Sequence, residues 1–228
     1  IQEGAELPAS TSVQGLETEA ISTKPRPFSH VIPPLGTVND KSLEFSAINT
    51  QSEPSIAVSG PNVVIGFNNV SGPFSGGSFS GYSYSTNSGA TFTEVPGGLP
   101  PIGTIVPRGD PSLAMQSGGR FYYSTIALDV ITEESSILVY RSTDGGVTFA
   151  PAFSVVAPCP TPPCDFLDKP LITIDRKAGS PFLGRLYMTY TRFLAAGGTD
   201  IESCAFRAST GTFFGCTTLT TEDVQGSM

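Results

Sequence analysis

From Glu53 onward the chain alternates short apolar runs with clusters of Gly, Pro, Asn and Ser, the pattern of strands separated by tight turns. No stretch carries the apolar spacing of an amphipathic helix. In mid-chain the pattern predicts four strands, Ser112–Gln116, Arg120–Leu128, Ser136–Ser142 and Thr148–Val155. Ser117-Gly118-Gly119, a loop at Glu133-Glu134 and the Asp144-Gly145-Gly146 turn join them into one antiparallel sheet. Matching strands are expected before it near Ser55–Val58, Val63–Asn68, Ser80–Ser85 and Thr91–Val95. After it they are expected near Leu171–Asp175, Arg185–Phe193, Ile201–Arg207 and Phe213–Leu219. Residues 1–50 differ, being rich in Ser, Thr, Pro and Glu. Lys24-Pro25-Arg26-Pro27 and Ile32-Pro33-Pro34 favour extended backbone that cannot join a central ladder, which predicts an extended arm or linker.

The three sets of strands are copies. Ser85-Thr86-Asn87-Ser88-Gly89-Ala90-Thr91-Phe92 returns as Ser142-Thr143-Asp144-Gly145-Gly146-Val147-Thr148-Phe149, a step of 57 residues. Glu53-Pro54-Ser55, Asp110-Pro111-Ser112 and Asp168-Lys169-Pro170 keep nearly the same step, at 57 and then 58. Such a period lies just above the range of about 20–50 residues typical of solenoids and propellers. Each repeat is a candidate blade: residues 53–107, 108–165 and 166–223, with 224–228 entering a further inner strand. Propellers typically close with four or more blades. The ring is therefore expected to be completed by further C-terminal blades or by a second copy in a homo-oligomer.

In the repeated octapeptide the acid or amide side chain accepts backbone N–H bonds within the turn, the serine hydroxyl bonds locally, and glycine supplies positive φ. Phe92 and Phe149 are expected to pack between adjacent sheets. Ser142, Asp144, Gly146 and Phe149 fit the pattern Ser-x-Asp-x-Gly-x-Thr-Phe fully; Ser85, Asn87, Gly89 and Phe92 fit it with Asn for Asp. Arg207–Phe213 is a degraded copy without the acid. These residues resemble the Asp-box, or bacterial neuraminidase repeat, of sialidase-like propellers. The resemblance covers residues 53–228 and implies an all-β propeller of sialidase type, about three four-stranded blades being present. In that family the Asp-box lies on the outer blade, away from the catalytic face, so its role here is expected to be structural. The family's enzymes bind the substrate carboxylate with an arginine cluster and use an Asp acid/base and a Tyr nucleophile assisted by Glu. Their Arg-Ile-Pro entry motif is missing; Pro25-Arg26-Pro27, in the arm, comes nearest.

Composition narrows the partners. The 228 residues are 39% hydrophobic and include 15 Phe and 7 Tyr, enough burial to oppose disorder. A net charge of −8 opposes attraction to nucleic acid or anionic membranes. No apolar run reaches the roughly 18 residues of a membrane span. The chain begins at Ile1 without Met, consistent with a leader already removed or with first residues missing. Cys159 with Cys164, and Cys204 with Cys216, are spaced for two short disulfides. Zinc is the competing reading, but there is no CxxC knuckle. Disulfides favour a secreted or cell-surface location.

Chemistry is expected where the inner strands begin. Glu53, Arg108, Asp110, Asp168 and Lys169 open successive inner strands and would converge on the axis as a ligand site, or else cap their turns and pair with each other. Arg120, Arg185 and Arg192 read as solvated surface, and Tyr122, Tyr123, Tyr187 and Tyr190 as blade packing. Asn69-Val70-Ser71 matches a glycosylation sequon, and His30 alone builds neither a triad nor a metal centre. No cofactor is expected; a structural calcium would have to be assembled from several loops, because Asp175, Asp200 and Asp223 lack calcium-loop spacing. The leading functional expectation is a non-catalytic propeller binding glycan or extracellular protein. The alternative is an exo-acting glycoside hydrolase of sialidase type with catalytic residues mainly in further blades. A third is a self-assembling structural protein.

Overall fold

The computed structural model describes residues 36–43, 50–75, 77–157, 159 and 163–220. The first 35 residues with His30, and the further strand expected at 224–228, lie outside the described residues. Among the described residues there is no α-helix, and the only helical pieces are single turns at Lys41–Leu43 and Gly72–Ser75.

Three antiparallel sheets follow one another along the chain as the blades of a partial β-propeller. The first contains β1 (Gln51–Ser59), β2 (Asn62–Asn69), β3 (Ser80–Ser85) and β4 (Thr93–Glu94) in sequential order. The second contains β5 (Ile105–Pro107), β6 (Ser112–Gln116), β7 (Arg120–Asp129), β8 (Ser135–Ser142) and β9 (Ala150–Val156). The third contains β10 (Phe166–Ile174), β11 (Arg185–Phe193), β12 (Thr199–Arg207) and β13 (Phe213–Thr220).

Strand β5 was not expected from the sequence. It pairs with the far end of β7, Ile105 opposite Asp129, while β6 pairs with the near end, Ser112 opposite Ser124. The two share the innermost position of a four-layered blade, interrupted at Arg108–Pro111. Strands β1 and β10 carry the same irregularity as register shifts, between Ser52 and Ser55 and between Asp168 and Leu171. Strand β4 is shorter than expected because the Thr91 N–H is taken by the Asn87 side chain at 2.9 Å.

Blades meet through aromatic rings set against small residues. Phe121, Tyr123 and Tyr140 of the second blade form one buried cluster with Val64, Tyr82 and Leu99 of the first. The Tyr123 hydroxyl donates to the Gly81 carbonyl at 3.0 Å. A methyl group on Gly66 would meet the Tyr123 ring at 2.6 Å, and one on Gly146 would meet Val64 at 2.1 Å. Between the second and third blades, Tyr122 donates to the Ala208 carbonyl at 2.7 Å, above a cluster containing Val139, Leu186, Met188 and Phe206. Tyr122, Tyr123 and Tyr190 are thus buried packing residues, as expected, and Tyr187 is half-buried.

Among the described residues the first blade's other face is only partly covered. Ile56, Val58, Val63, Ile65 and Phe92 line a cavity of about 380 Å³ there, roofed in part by Gly36 and Val38. Those two residues are held by bonds from Gly36 N–H to the Gly89 carbonyl, 3.0 Å, and from the Ser83 hydroxyl to the Val38 carbonyl, 2.5 Å.

Substituting Gly66→Ala should drive the Tyr123 ring off its seat and destabilise the protein by roughly 1–3 kcal/mol, measured as a lowered urea midpoint with an unchanged slope. An unchanged midpoint would show that the blade junction does not depend on this contact.

Candidate functional site

Each inner strand is interrupted near its start by a non-glycine residue in the left-handed region, immediately before a proline: Glu53 (φ 51°), Asp110 (φ 55°) and Lys169 (φ 49°). Such a backbone costs on the order of 1–3 kcal/mol and persists only where surrounding contacts over-determine it. Those contacts are visible around Asp110. Its N–H donates to Asn68 Oδ1 at 2.8 Å, and the preceding Gly109 N–H donates to Ser80 Oγ at 3.0 Å. Just beyond the first two prolines, Ser55 Oγ accepts the Leu113 N–H and Ser112 Oγ accepts the Ile172 N–H, both at 3.0 Å, linking neighbouring inner strands.

The structure shifts the repeat register in the third blade. Pro54 to Pro111 is 57 residues, but Pro111 to Pro170 is 59, so Lys169, and not Asp168, takes the position of Glu53 and Asp110. The third blade therefore brings a cation to the axis where the first two bring acids.

These side chains meet. The Lys169 ammonium pairs with Glu53 Oε2 and lies 3.4 Å from Asp110 Oδ1. The Asp110 side chain is only 13% exposed, against 46% for Glu53 and 40% for Lys169. Burial pushes the Asp110 carboxyl above its ordinary pKa, and a side-chain hydrogen bond with Asp168 pushes the same way. A bond with Glu53 and the charge of Lys169 pull back without cancelling the rise. For Lys169, burial favours the neutral amine, but the bonds and charges of Glu53 and Asp110 outweigh it and raise its pKa. The arrangement thus sets a largely buried carboxyl biased toward its protonated form beside a second, more exposed carboxylate that pairs with the same ammonium.

Arg108 stands apart from this ion-pair group. Its guanidinium lies over the Phe79 ring at 5.7 Å, and its buried Nε has no hydrogen-bond partner among the described residues. Among the described residues no group of three or more His, Cys, Asp or Glu is arranged to hold a metal ion.

The two octapeptide turns have one geometry. Ser142 Oγ donates to Asp144 Oδ1 at 2.7 Å and accepts the Gly146 N–H at 2.9 Å, while Asp144 accepts the Thr148 N–H at 3.0 Å. In the first blade Ser85, Asn87, Gly89 and Thr91 repeat these bonds at 2.8, 3.0 and 2.9 Å. Phe149 is buried edge-on against Tyr82, at 5.0 Å, and Tyr123, at 6.0 Å. Phe92 instead faces the cavity on the first blade's other face. Both disulfides are formed, Cys159–Cys164 and Cys204–Cys216, the latter between directly paired residues of β12 and β13.

Two arginines depart from plain surface roles. Arg192 is gripped by Asp165 at 2.6 Å and lies 3.8 Å from Glu202, and Arg185 is sandwiched between the Phe182 and Phe214 rings at 4.5 and 4.6 Å. Arg120 is exposed as expected. The sequon asparagine, Asn69, is 7% exposed; its amide donates to buried Glu94 and its oxygen accepts the Ser71 N–H, so it is closed to modification in this fold. The supporting residues Asn68, Ser55 and Ser112 were not singled out from the sequence. The recurring Pro-Ser after each acid was the signal available for the serines.

No protein-family model matches the chain, and no curated protein is similar to it. Solved structures are similar. The α-L-arabinofuranosidase of Fusarium graminearum, in complex with an iminosugar inhibitor, superposes with a TM-score of 0.58 at 15% identity, covering 76% of this chain and 49% of that one. Penicillium chrysogenum α-L-arabinanase complexed with arabinobiose gives 0.50 at 14% identity, over 76% and 50%. The endo-arabinase of Bacteroides thetaiotaomicron gives 0.50 at 17% identity, over 78% and 66%. The likeness is one of fold, a β-propeller, and the chain spans about half the length of the two fungal enzymes.

Replacing Lys169 by Met should leave both carboxylates without their cation and raise the pKa of Asp110 further. Because a raised carboxyl pKa makes the ionised folded state unfavourable, the stability loss should be about 1 kcal/mol at pH 7, modest because solvent screens the half-exposed ammonium. It should shrink as pH falls through the folded pKa of Asp110. Urea titrations at several pH values check this, and a pH-independent loss would contradict it.

Proposed function

We propose that this chain belongs to a propeller glycoside hydrolase that acts on glycans through the carboxylates at the heads of its inner strands. The observation that carries the reading is the meeting of Glu53, Asp110 and Lys169 on strained backbone, with the pKa of Asp110 pushed up. In this reading Asp110 donates a proton to the leaving glycosidic oxygen. Glu53, hydrogen-bonded to Asp110 and paired with Lys169, stands on the same side of the bond and holds the acid in place, so the base or nucleophile comes from outside this group. The fold shared with arabinan-degrading enzymes supports a glycan substrate, and arabino-oligosaccharides are the natural first probe. The octapeptide turns support a resemblance of the scaffold to the sialidase-like propellers, whereas the axial residues differ from the arginine cluster of that family. The two disulfides support an extracellular setting.

One observation favours the non-catalytic reading. Lys169 is already matched by two acids, so the axial group is self-satisfied as it stands and suits a ligand that joins its hydrogen bonds without reacting.

The two readings part on turnover. Asp110→Asn should lower reducing-sugar release from arabino-oligosaccharides by about 10²–10⁴-fold while leaving binding in place. Wild-type activity should fall as pH rises through the raised pKa of Asp110, since the acid works protonated. Binding without measurable release by the wild type would establish the non-catalytic reading.

A further inference from the structure

The end of the propeller that carries the axial group also carries a second concave feature. The β7–β8 loop, Val130–Glu134, leaves this end because Asp129 stands opposite Ile105, at the head of the inner strand. Phe166, paired with Phe193, stands at the head of β10, two residues before Asp168. Between these elements lies a cavity of about 210 Å³ lined by Thr132, Glu133, Ser135, Cys164, Asp165 and Phe166, one wall being closed by the Cys159–Cys164 disulfide.

Its lining is built. The Asp129 carboxylate accepts the N–H groups of Ile131 and Thr132 at 2.8 and 3.2 Å and the Thr104 hydroxyl at 2.8 Å, fixing the loop. Glu133 has a left-handed backbone, φ 61°, pinned by its N–H on the Asp129 carbonyl at 2.9 Å. Its carboxylate makes no hydrogen bond with a described residue. Asp165 is oriented by Arg192, at 2.7 Å, and by the Ala195 N–H, at 2.9 Å. Phe166 is 43% exposed, its ring resting 6.4 Å from that of Phe193.

An aromatic face beside two carboxylates, that of Asp165 held in place and that of Glu133 free of hydrogen bonds to described residues, and a threonine hydroxyl is complementary to a sugar ring. The ring's C–H face packs on the aromatic and its hydroxyls donate to the carboxylates. The acids also set the ligand's charge. Among the described residues the cation in contact with this lining is Arg192, and it is already shared by Asp165 and Glu202, which disfavours a sugar carboxylate or sulfate here. Phe166 and Asp168 lie on the same side of β10, about 7 Å apart along the strand, on the order of the length of one sugar residue.

We infer that this cavity binds an uncharged sugar residue of the same glycan chain whose neighbouring unit lies at the axial carboxylates, making the protein a reader of neutral oligosaccharides and not of acidic or single sugars. The inference rests on the axial site being the place of glycan chemistry.

The test measures binding by calorimetry and hydrolysis by reducing-sugar release, using arabinose, arabinotriose and, as an acidic probe, sialyllactose. Wild type should bind arabinotriose but neither arabinose nor sialyllactose with comparable affinity. Phe166→Ala should weaken arabinotriose binding about tenfold. Glu133→Gln, a loop change outside every sheet, should weaken it in the same direction and so guards against a folding defect in the first variant. Arabinotriose binding that neither variant alters, or stronger binding of sialyllactose, overturns the inference even if hydrolysis is observed. Binding sensitive to both variants without any hydrolysis supports the cavity and instead overturns the catalytic reading of the axis. Absence of arabinotriose binding to wild type overturns the inference.

Discussion

One hydrogen bond, made twice, sets the spacing of the inner strands. Ser55 and Ser112 each accept an N–H from the next inner strand, at 3.0 Å, in place of the backbone ladder that neighbouring blades cannot form. Each of these serines follows a proline, and each proline follows a residue forced into the left-handed region. Acid, proline and serine therefore work as one unit. The serine fixes one strand to its neighbour, the proline belongs to the irregularity that interrupts the ladder, and the residue before it is presented at the axis. The third blade has Leu171 where the first two have serine, and Lys169 where they have acids, so the repeat changes its joining chemistry and its charge together.

From that spacing comes the electrostatics of the site. Two carboxylates brought to a common point would repel each other and protonate, or else require a counter-charge. Lys169 supplies the counter-charge from the next blade, and it does so unequally: Glu53 is half in solvent and closely paired, whereas Asp110 is largely buried and also bonded to Asp168. The asymmetry between two chemically similar acids is a consequence of where successive repeats place them. The strained backbone, stabilised by Asn68 and Ser80 from the adjoining blade, keeps that difference from relaxing.

Much of this was legible in the sequence, for identifiable reasons. The two octapeptides specify their turns through bonds within seven residues, so their hydrogen bonding followed from local chemistry alone. The cysteine pairs are local as well. Glu53, Asp110 and Lys169 were placed near the axis by the period, but the period assigned Asp168 to the series, because an insertion at a strand irregularity leaves no composition signal. Arg108 was grouped with them by proximity in sequence, yet it turns aside over Phe79. The ion pairing of Arg192 and the stacking of Arg185 depend on partners as far as half a repeat away in the third blade, and alternation along a strand does not report such partners. Strand β5 escaped notice because three residues, one of them proline, make too short an apolar run to count.

The central claim is that the heads of the inner strands form the ligand site, and amide chemical-shift mapping of isotopically labelled protein titrated with arabinotriose tests it most directly. The account predicts that the largest perturbations fall on the backbone around Glu53, Asp110 and Asp168-Lys169, with a second group around Glu133 and Phe166. Perturbations confined to the outer turns at Ser85–Phe92 and Ser142–Phe149, or to the partly covered face of the first blade, would contradict it.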